Sequence, residues 1–545
     1  MPIRWGYLKR FLAGAIFGLY MAHLLFFLNP QVEMTPLRLA IFTIVFGLTC
    51  GLLFGSILWG FRALRVRLFG RPVNYHSNGF GFVVLAAFIA TAIYWIHLEY
   101  VRIYLPIGAV RMLAKATNVI TFTAFVLLGL WVMERNADRR RSRTIFVIGV
   151  ALIAISAFFL YQRRESYRTE RRQVVVATIG EVGAKRPVML VAIRNLPHDW
   201  ILTMRGEGRL PHFEAAAKRG YFARLEPFPT TSPKSLWASL ATGKLPYRHL
   251  VTGRFSYRTP LNPRDPFLML PSGVFFQAWG LIPPVDRISA QLPSGAALPL
   301  WGAFERLQVG ATVVNWQAVR PGDASRVVTA SSLLRTPRRP DVEDHFAAAG
   351  AGRERLAQAL VTDRAAVAAV AGSDRQALSV VALEGFSEAQ KVLHVASNEL
   401  PPASEPRGAT LRTYAQELDE MLARLRRNYP DHLLVVCSPS AVVLPEMPST
   451  VFAILARALS QEPPGADHGF VLVEGDGTAP RENAAAAFVV DIVPTVLFAA
   501  GLPVGRDMDG RIITEAFDDA FLRSTSVSAI QTYEAERLVV RRAAP

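Results

Sequence analysis

The sequence predicts a two-part chain: an all-α bundle of about five transmembrane helices, followed by one large α/β domain built on a mostly parallel sheet. Three observations predict it. The 545 residues are 51% hydrophobic with a mean hydropathy of +0.25, too apolar for an ordinary soluble protein and too long for a membrane bundle alone. Uncharged apolar runs that approach the roughly 20 residues needed to cross a bilayer lie almost entirely before residue 162. Beyond residue 187, short apolar runs alternate with helical patterns, which is the signature of strands paired in parallel and covered on both faces.

Five spans can be read in the first region (1–162): Phe11 to Leu28, Leu39 to Phe61, Gly79 to Leu98, Asn118 to Met133 and Thr144 to Tyr161. The first follows Arg4, Lys9 and Arg10, as a signal peptide would, but no small-residue cleavage site follows it, so it is read as retained. Basic residues resist translocation. They cluster before the first span, at Arg62 to Arg71, and at Arg135 to Arg143, whereas the opposite side holds Arg38, Arg102, Arg111 and Lys115. This places the N-terminus in the cytoplasm and, after an odd number of spans, the C-terminal domain in the periplasm, with the chain in the inner membrane. A basic juxtamembrane linker (163–186) runs against the rule, and a miscount of one span would make the domain cytoplasmic.

The formal charge of +17 could suggest nucleic acid, but the arginines flank apolar runs, where they set topology and touch anionic lipid. The expected partners are therefore the lipid bilayer and a protein or anionic ligand, with no nucleic acid. Two cysteines, Cys50 and Cys437, give no basis for an intramolecular disulfide framework.

The soluble domain (187–523) opens with Pro187-Val-Met-Leu-Val-Ala-Ile193, an apolar run bounded by Pro and Asn that reads as a buried strand. A helix follows over Leu210 to Arg219, with Pro211 at its start and Gly220 at its end. Further strands are expected at Ala377 to Leu383, His432 to Val436 and Phe470 to Glu474, and helices at Leu411 to Asn428 and Asp491 to Ala500. The Pro-rich stretch 254–339 reads as an insertion over the cleft. Residues 524–545 read as a C-terminal tail, either a docking helix or a solvated Arg-rich surface.

Three stretches carry a family resemblance: Asp491-Ile-Val-Pro-Thr-Val-Leu-Phe-Ala-Ala-Gly-Leu-Pro-Val with Asp507-Met-Asp-Gly-Arg511 and Thr514-Glu-Ala-Phe517; Trp237-Ala-Ser-Leu-Ala-Thr-Gly-Lys-Leu-Pro246 with His249; and Gly208-Arg-Leu-Pro-His-Phe213. In these the chain resembles the alkaline phosphatase superfamily, in its type I phosphodiesterase/nucleotide pyrophosphatase branch. The resemblance implies an alkaline-phosphatase-like α/β/α sandwich. It also implies two metal ions, usually zinc, that clamp the attacking and leaving oxygens of phosphoryl transfer.

The ligand positions that the resemblance implies are mostly replaced. The Asp that ends the family's opening strand falls on Arg194, and a guanidinium cannot ligate a cation. The next Asp and His fall on Ser387 and Lys391, with Glu388 adjacent as a substitute if the register slips. The Ser-Asp-His-Gly after a later strand falls on Cys437-Ser-Pro-Ser440, and His468 is the retained ligand-like position. Ser232, before Pro233, is the best match to the nucleophile that the resemblance implies, one residue out of register, and is also a natural helix cap. Arg194 and Lys391 could fill the emptied site and receive an anion.

Two functions therefore stay open. One is a catalytically degenerate periplasmic binding or scaffold component with no cofactor. The other is a zinc-dependent phosphodiesterase or phosphotransferase using Ser232, His468, Asp467 and Glu388 on a phosphodiester or lipid-linked substrate.

Overall fold

The computed structural model describes residues 11–12, 14–20, 23–24, 27–29, 36–69, 80–101, 107–135, 139–164, 176–179, 186–228, 233–251, 255–259, 262–267, 286–290, 292, 297–316, 326–329, 346, 350, 352–396, 399–439, 468–534 and 537–540. They fall into two compact units, one made of residues 1–173, 255–290 and 446–460 and the other of residues 174–254, 291–445 and 461–545.

In the first unit the apolar runs are helices: α1 (Pro36–Phe69), α2 (Phe80–Val101), α3 (Ile107–Arg135) and α4 (Arg139–Arg164). Val83, Ala87 and Tyr94 of α2 pack with Leu113, Ala116 and Ile120 of α3, and with Phe17, Tyr20 and Leu24 of the first apolar run. The Tyr20 hydroxyl hydrogen-bonds Thr123 Oγ1 at 2.9 Å, so this polar contact inside apolar surroundings is satisfied. Among the described residues one stretch, Val110–Glu134, with a mean hydropathy of 1.8, is long and apolar enough to cross a membrane by length and composition. Large apolar side chains such as Leu52, Ile89, Phe122, Phe125 and Phe158 point outward and exposed. Residues 255–290 contribute a three-stranded antiparallel sheet to this unit.

The second unit is built on an eight-stranded sheet. Its strands are β1 (Val188–Ile193), β2 (Tyr221–Glu226), β3 (Ala311–Val314), β4 (Arg326–Val328), β5 (Leu378–Leu383), β6 (Leu433–Ser438), β7 (Gly469–Glu474) and β8 (Arg481–Phe488), in the spatial order β8-β2-β7-β6-β1-β5-β3-β4. All neighbouring pairs are parallel except those of β7, which runs antiparallel to both β6 and β2. The sheet is therefore mostly parallel, as the alternating pattern predicts.

The longer helices of this unit are α5 (His198–Gly206), α6 (Pro211–Arg219), α7 (Pro233–Thr242), α8 (Leu300–Arg306), α9 (Arg353–Ala371), α10 (Gly385–Val392), α11 (Pro406–Asn428) and α12 (Ile492–Ala499). Period-2 alternation along β1 sends Val188, Leu190 and Ala192 to one face, under α7, α8 and α12. Met189, Val191 and Ile193 go to the other, under α5, α6, α9, α10 and α11. Both faces are dry, which is why the strand has no polar side chain. Each of its large aliphatic side chains contributes about 1.5–3 kcal/mol by burial.

Two sequence expectations need correction. Part of the stretch read as an insertion over the cleft belongs to the domain itself: α8 packs in the core, and β3 and β4 extend the main sheet. With four and three residues, these strands are too short to show a period. Beyond Ser524, the described residues of the tail 524–545 form no docking helix. Ala529–Ile530 pairs with Val504–Gly505, and Arg537–Val540 pairs in parallel with Val176–Ile179, inside the stretch read as linker. Lys244, 3% exposed, reaches Glu534 at 2.8 Å and Asp507 at 2.6 Å, and Glu534 also accepts from Leu298 N at 2.7 Å. Glu534 reads as a surface charge until its partner, 290 residues away in sequence, is known.

Candidate functional site

In an open, mostly parallel sheet the loops at the C-terminal strand ends form the crevice where ligands bind. Here β1, β5 and β6 end at that edge. Because β7 runs the other way, the residue before it, His468, lies there too: Ser438 at the end of β6 pairs with Phe470 near the start of β7. The reversal of β7 is thus what brings a residue from far along the sequence into the crevice.

Arg194 follows β1 and Glu384 follows β5. Parallel pairing continues to Ile193 opposite Leu383, and Arg194 N donates to Leu383 O at 2.9 Å. The register therefore sets the next two side chains beside each other, and Arg194 Nη1 lies 3.4 Å from Glu384 Oε1. Their side chains are 18% and 32% exposed. The Arg194 guanidinium also stands 6.0 Å over the ring of Trp237 on α7, a cation–π distance.

The Glu384 main chain is held from below. Asp363 on α9 is fully buried and accepts from Glu384 N at 3.1 Å, Gly385 N at 3.0 Å and the Tyr414 hydroxyl at 3.0 Å. Burial pushes its carboxyl up to about 7 against those hydrogen bonds. At Gly385 a Cβ would come 1.7 Å from the Tyr414 hydroxyl, so this position needs glycine for close approach.

The other residues singled out in the sequence fall as follows. Ser387 is buried in the first turn of α10. Glu388 pairs with Arg355 at 2.6 Å and Lys391 at 3.1 Å. Burial raises its carboxyl, and those two cations override it and hold the group below the usual range. Lys391 is 63% exposed and has this carboxylate as its partner, so each of the two candidate anion-binding cations already has a glutamate. Ser438 stands where the resemblance places an Asp, and its Oγ accepts the Leu196 N–H at 2.8 Å, a backbone-satisfying role.

His468 O accepts from His198 N at 2.9 Å, and His468 Nδ1 is buried without a hydrogen-bond partner among the described residues. His198 stacks on Phe222 with ring centroids 5.2 Å apart and meets Asp199 at 3.0 Å. Burial lowers its imidazole pKa. Ser232 and Asp467 lie outside the described residues. Among the described residues, no group of three or more His, Cys, Asp or Glu side chains is placed to hold a metal ion.

A serine and a histidine do meet in the core, but their tautomer rules out nucleophile activation. Ser239 Oγ lies 2.9 Å from His249 Nε2, and His249 Nδ1 accepts from Val251 N at 3.1 Å. A ring nitrogen that accepts carries no proton, so Nε2 carries it and donates to Ser239. Burial drives His249 down to about 3, so the ring stays neutral. This imidazole cannot take the Ser239 proton.

Sequence reading missed Glu384 and Asp363, and both had a signal. Arg194 and Glu384 are the first residues after two apolar runs, and opposite charges at the ends of parallel neighbours are placed to pair. Asp363 lies on the stripe Leu356, Leu360, Val367 and Val370 of α9, where a carboxylate is out of place unless something buried donates to it.

A mostly parallel sheet covered by helices on both faces, with Arg194 and Glu384 paired at its strand ends, defines the class as an α/β domain. Residues 199–438 match the family model described as Type I phosphodiesterase / nucleotide pyrophosphatase. The chain carries a phosphodiesterase/nucleotide pyrophosphatase-like domain. The match ends before Asp491–Phe517, so those residues rest on their resemblance alone. Similar solved structures include the following three. Murine ectonucleotide pyrophosphatase / phosphodiesterase 5 is 12% identical, covering 61% of this chain and 100% of that one, with a TM-score of 0.37. An alkaline phosphatase superfamily protein from Vibrio parahaemolyticus is 14% identical over 66% of this chain and 78% of its own, with a TM-score of 0.35. The phosphonate monoester hydrolase of Silicibacter pomeroyi is 14% identical over 60% and 76%, with a TM-score of 0.36. With TM-scores under 0.5 these remain likenesses. No curated protein matches the chain.

Proposed function

We propose that this chain is a membrane-attached, phosphodiesterase-like domain that binds an anionic ligand or a protein partner instead of hydrolysing a phosphoester. The observation that carries the proposal is the Arg194–Glu384 ion pair at the strand ends. A two-metal centre needs carboxylates and imidazoles converging on that edge. The described residues do not fit one: a guanidinium stands where the resemblance places the first ligand, and the Ser438 hydroxyl is engaged by Leu196. Arg194 supplies the positive charge that a divalent ion would bring, and Glu384 neutralises it. The distribution of Lys and Arg around the apolar helices, and the outward apolar side chains of those helices, support reading the domain as periplasmic and attached to the inner membrane.

A second reading, a working hydrolase built on Ser232, Asp467, His468 and Glu388 with zinc, has one observation in its favour: the buried, unpartnered Nδ1 of His468. Hydrolysis of bis(p-nitrophenyl) phosphate by the full-length protein in detergent, with and without added zinc, separates the two. The binding reading expects no zinc-dependent turnover. Turnover that disappears in Ser232→Ala would establish the hydrolase.

A further inference from the structure

Glu384 is fixed at one end and loose at the other. Its backbone and that of Gly385 are tied to the Asp363 carboxylate, which is itself clamped by Tyr414. Its side chain has Arg194 as its charged partner, at 3.4 Å. Glu384 Oε1 is buried and accepts no hydrogen bond among the described residues, so the pair is a Coulombic contact without the directed N–H···O bonds of a bidentate clamp. Such an acceptor forfeits the hydrogen bonds it had in water. The guanidinium, by contrast, is held in orientation by Trp237 on one face.

From this we infer that Glu384 is an internal competitor for Arg194, and that an external oxyanion of the phosphate type binds Arg194 by rotating the Glu384 side chain away while its backbone stays in place. The inference rests on the binding reading above. A planar fork of N–H donors matches two oxygens of a phosphate, which gives directed bonds where Glu384 gives none. The exchange asks for one rotamer change and no movement of β5 or α10, because Asp363 anchors the main chain whichever way the side chain points. The same chemistry is offered by free phosphate and by a phosphorylated lipid headgroup.

The test is calorimetric titration of the full-length, detergent-solubilised protein with inorganic phosphate, each variant first checked by thermal unfolding. Glu384→Gln keeps the shape and removes the competing charge, and is expected to bind about tenfold more tightly than the unsubstituted protein. Glu384→Asp, shorter but still charged, should fall between them. Arg194→Gln and the double variant should not saturate. If Glu384→Gln binds no better while Arg194 is still required, Glu384 is no competitor and the inference falls, with the binding reading intact. If no variant binds phosphate, the inference falls and the binding reading keeps only its protein-partner form. If tighter binding persists in the Arg194→Gln background, the anion sits elsewhere and the inference also falls. Repeating the titration in nanodiscs with and without phosphatidic acid assigns the source: competition by the lipid supports a headgroup, and its absence supports free phosphate.

Discussion

Replacing Lys244 by Met removes the cation from a buried cluster in which Nζ meets Glu534 at 2.8 Å and Asp507 at 2.6 Å, with Thr532 Oγ1 donating to Asp507 at 2.8 Å. The side chains of Lys244 and Glu534 are 4% and 3% exposed, so neither can turn to water without moving the chain. Removing one partner of a buried pair costs about 3–5 kcal/mol because the other charge is left uncompensated. Glu534 would keep its bond from Leu298 N and Asp507 its bond from Thr532, which puts the expectation near the lower end, about 3 kcal/mol. At about 2–4 °C per kcal/mol, the melting temperature should fall by roughly 6–12 °C. Burial alone would raise the Glu534 carboxyl, but the Lys244 charge and hydrogen bonds hold it well below the usual range. A depressed carboxylate contributes stability above its unfolded value of about 4.5, and that stability is lost as pH falls below it. The unsubstituted protein should therefore lose stability on acidification more steeply than Lys244→Met. Differential scanning fluorimetry from pH 7 to pH 3 measures both effects. The double variant Lys244→Met/Glu534→Leu should recover part of the loss, since Asp507 alone then remains. A single variant within about 1 kcal/mol of the parent would refute the view that residues 525–534 are an integral strap of the domain.

Other perturbations probe the rest of the fold. Gly385→Ala should destabilise by at least the 1–3 kcal/mol typical of overpacking, because its Cβ meets the Tyr414 hydroxyl and Asp363 Oδ2; unchanged chemical denaturation would show that the loop yields. His249 stays neutral down to about 3 in the folded chain against an ordinary imidazole value of 6.5, so its contribution is complete above pH 6.5 and is lost as pH falls toward 3, at most about 5 kcal/mol. The difference in pH dependence between the parent and His249→Gln reads this directly, and parallel profiles would contradict it. Asp363 has the opposite sign: with its folded carboxyl raised to about 7, stability is greatest below about 4 and declines as pH rises to 7. Asp363→Asn should flatten that decline in the same unfolding series, and an unflattened decline would assign it to another group.

The elements legible in the sequence were those whose signal is local. The run Pro187 to Ile193 became β1 (Val188–Ile193), and the expected helix Leu210 to Arg219 became α6 (Pro211–Arg219), because a dry strand and a Pro-started, Gly-ended helix each announce themselves without partners. The direction of β7 was not legible, since a strand buried on both faces reads the same whichever way it runs. The words that carried the family resemblance turn out to hold the fold together. Asp491 accepts from Phe488 N at 2.9 Å and Arg511 N at 2.8 Å, and Asp509 takes Leu245 N at 2.8 Å. Such residues are constrained by backbone geometry whatever happens at the strand ends. The crevice is a different matter. Arg194 could be recognised from sequence as unfit to bind a cation, but its partner Glu384 and the Asp363 support lie 190 and 169 positions further along, and only the parallel register brings them together.

The most direct test of the claim that Arg194 takes the place of a metal ion is the zinc content of the full-length protein, purified in detergent without chelators, dialysed against trace zinc and measured by elemental mass spectrometry. We expect close to zero zinc per chain, unchanged in Ser232→Ala and His468→Ala. A value near two per chain that falls in His468→Ala would contradict it, by showing that the strand-end edge assembles a metal centre despite the guanidinium.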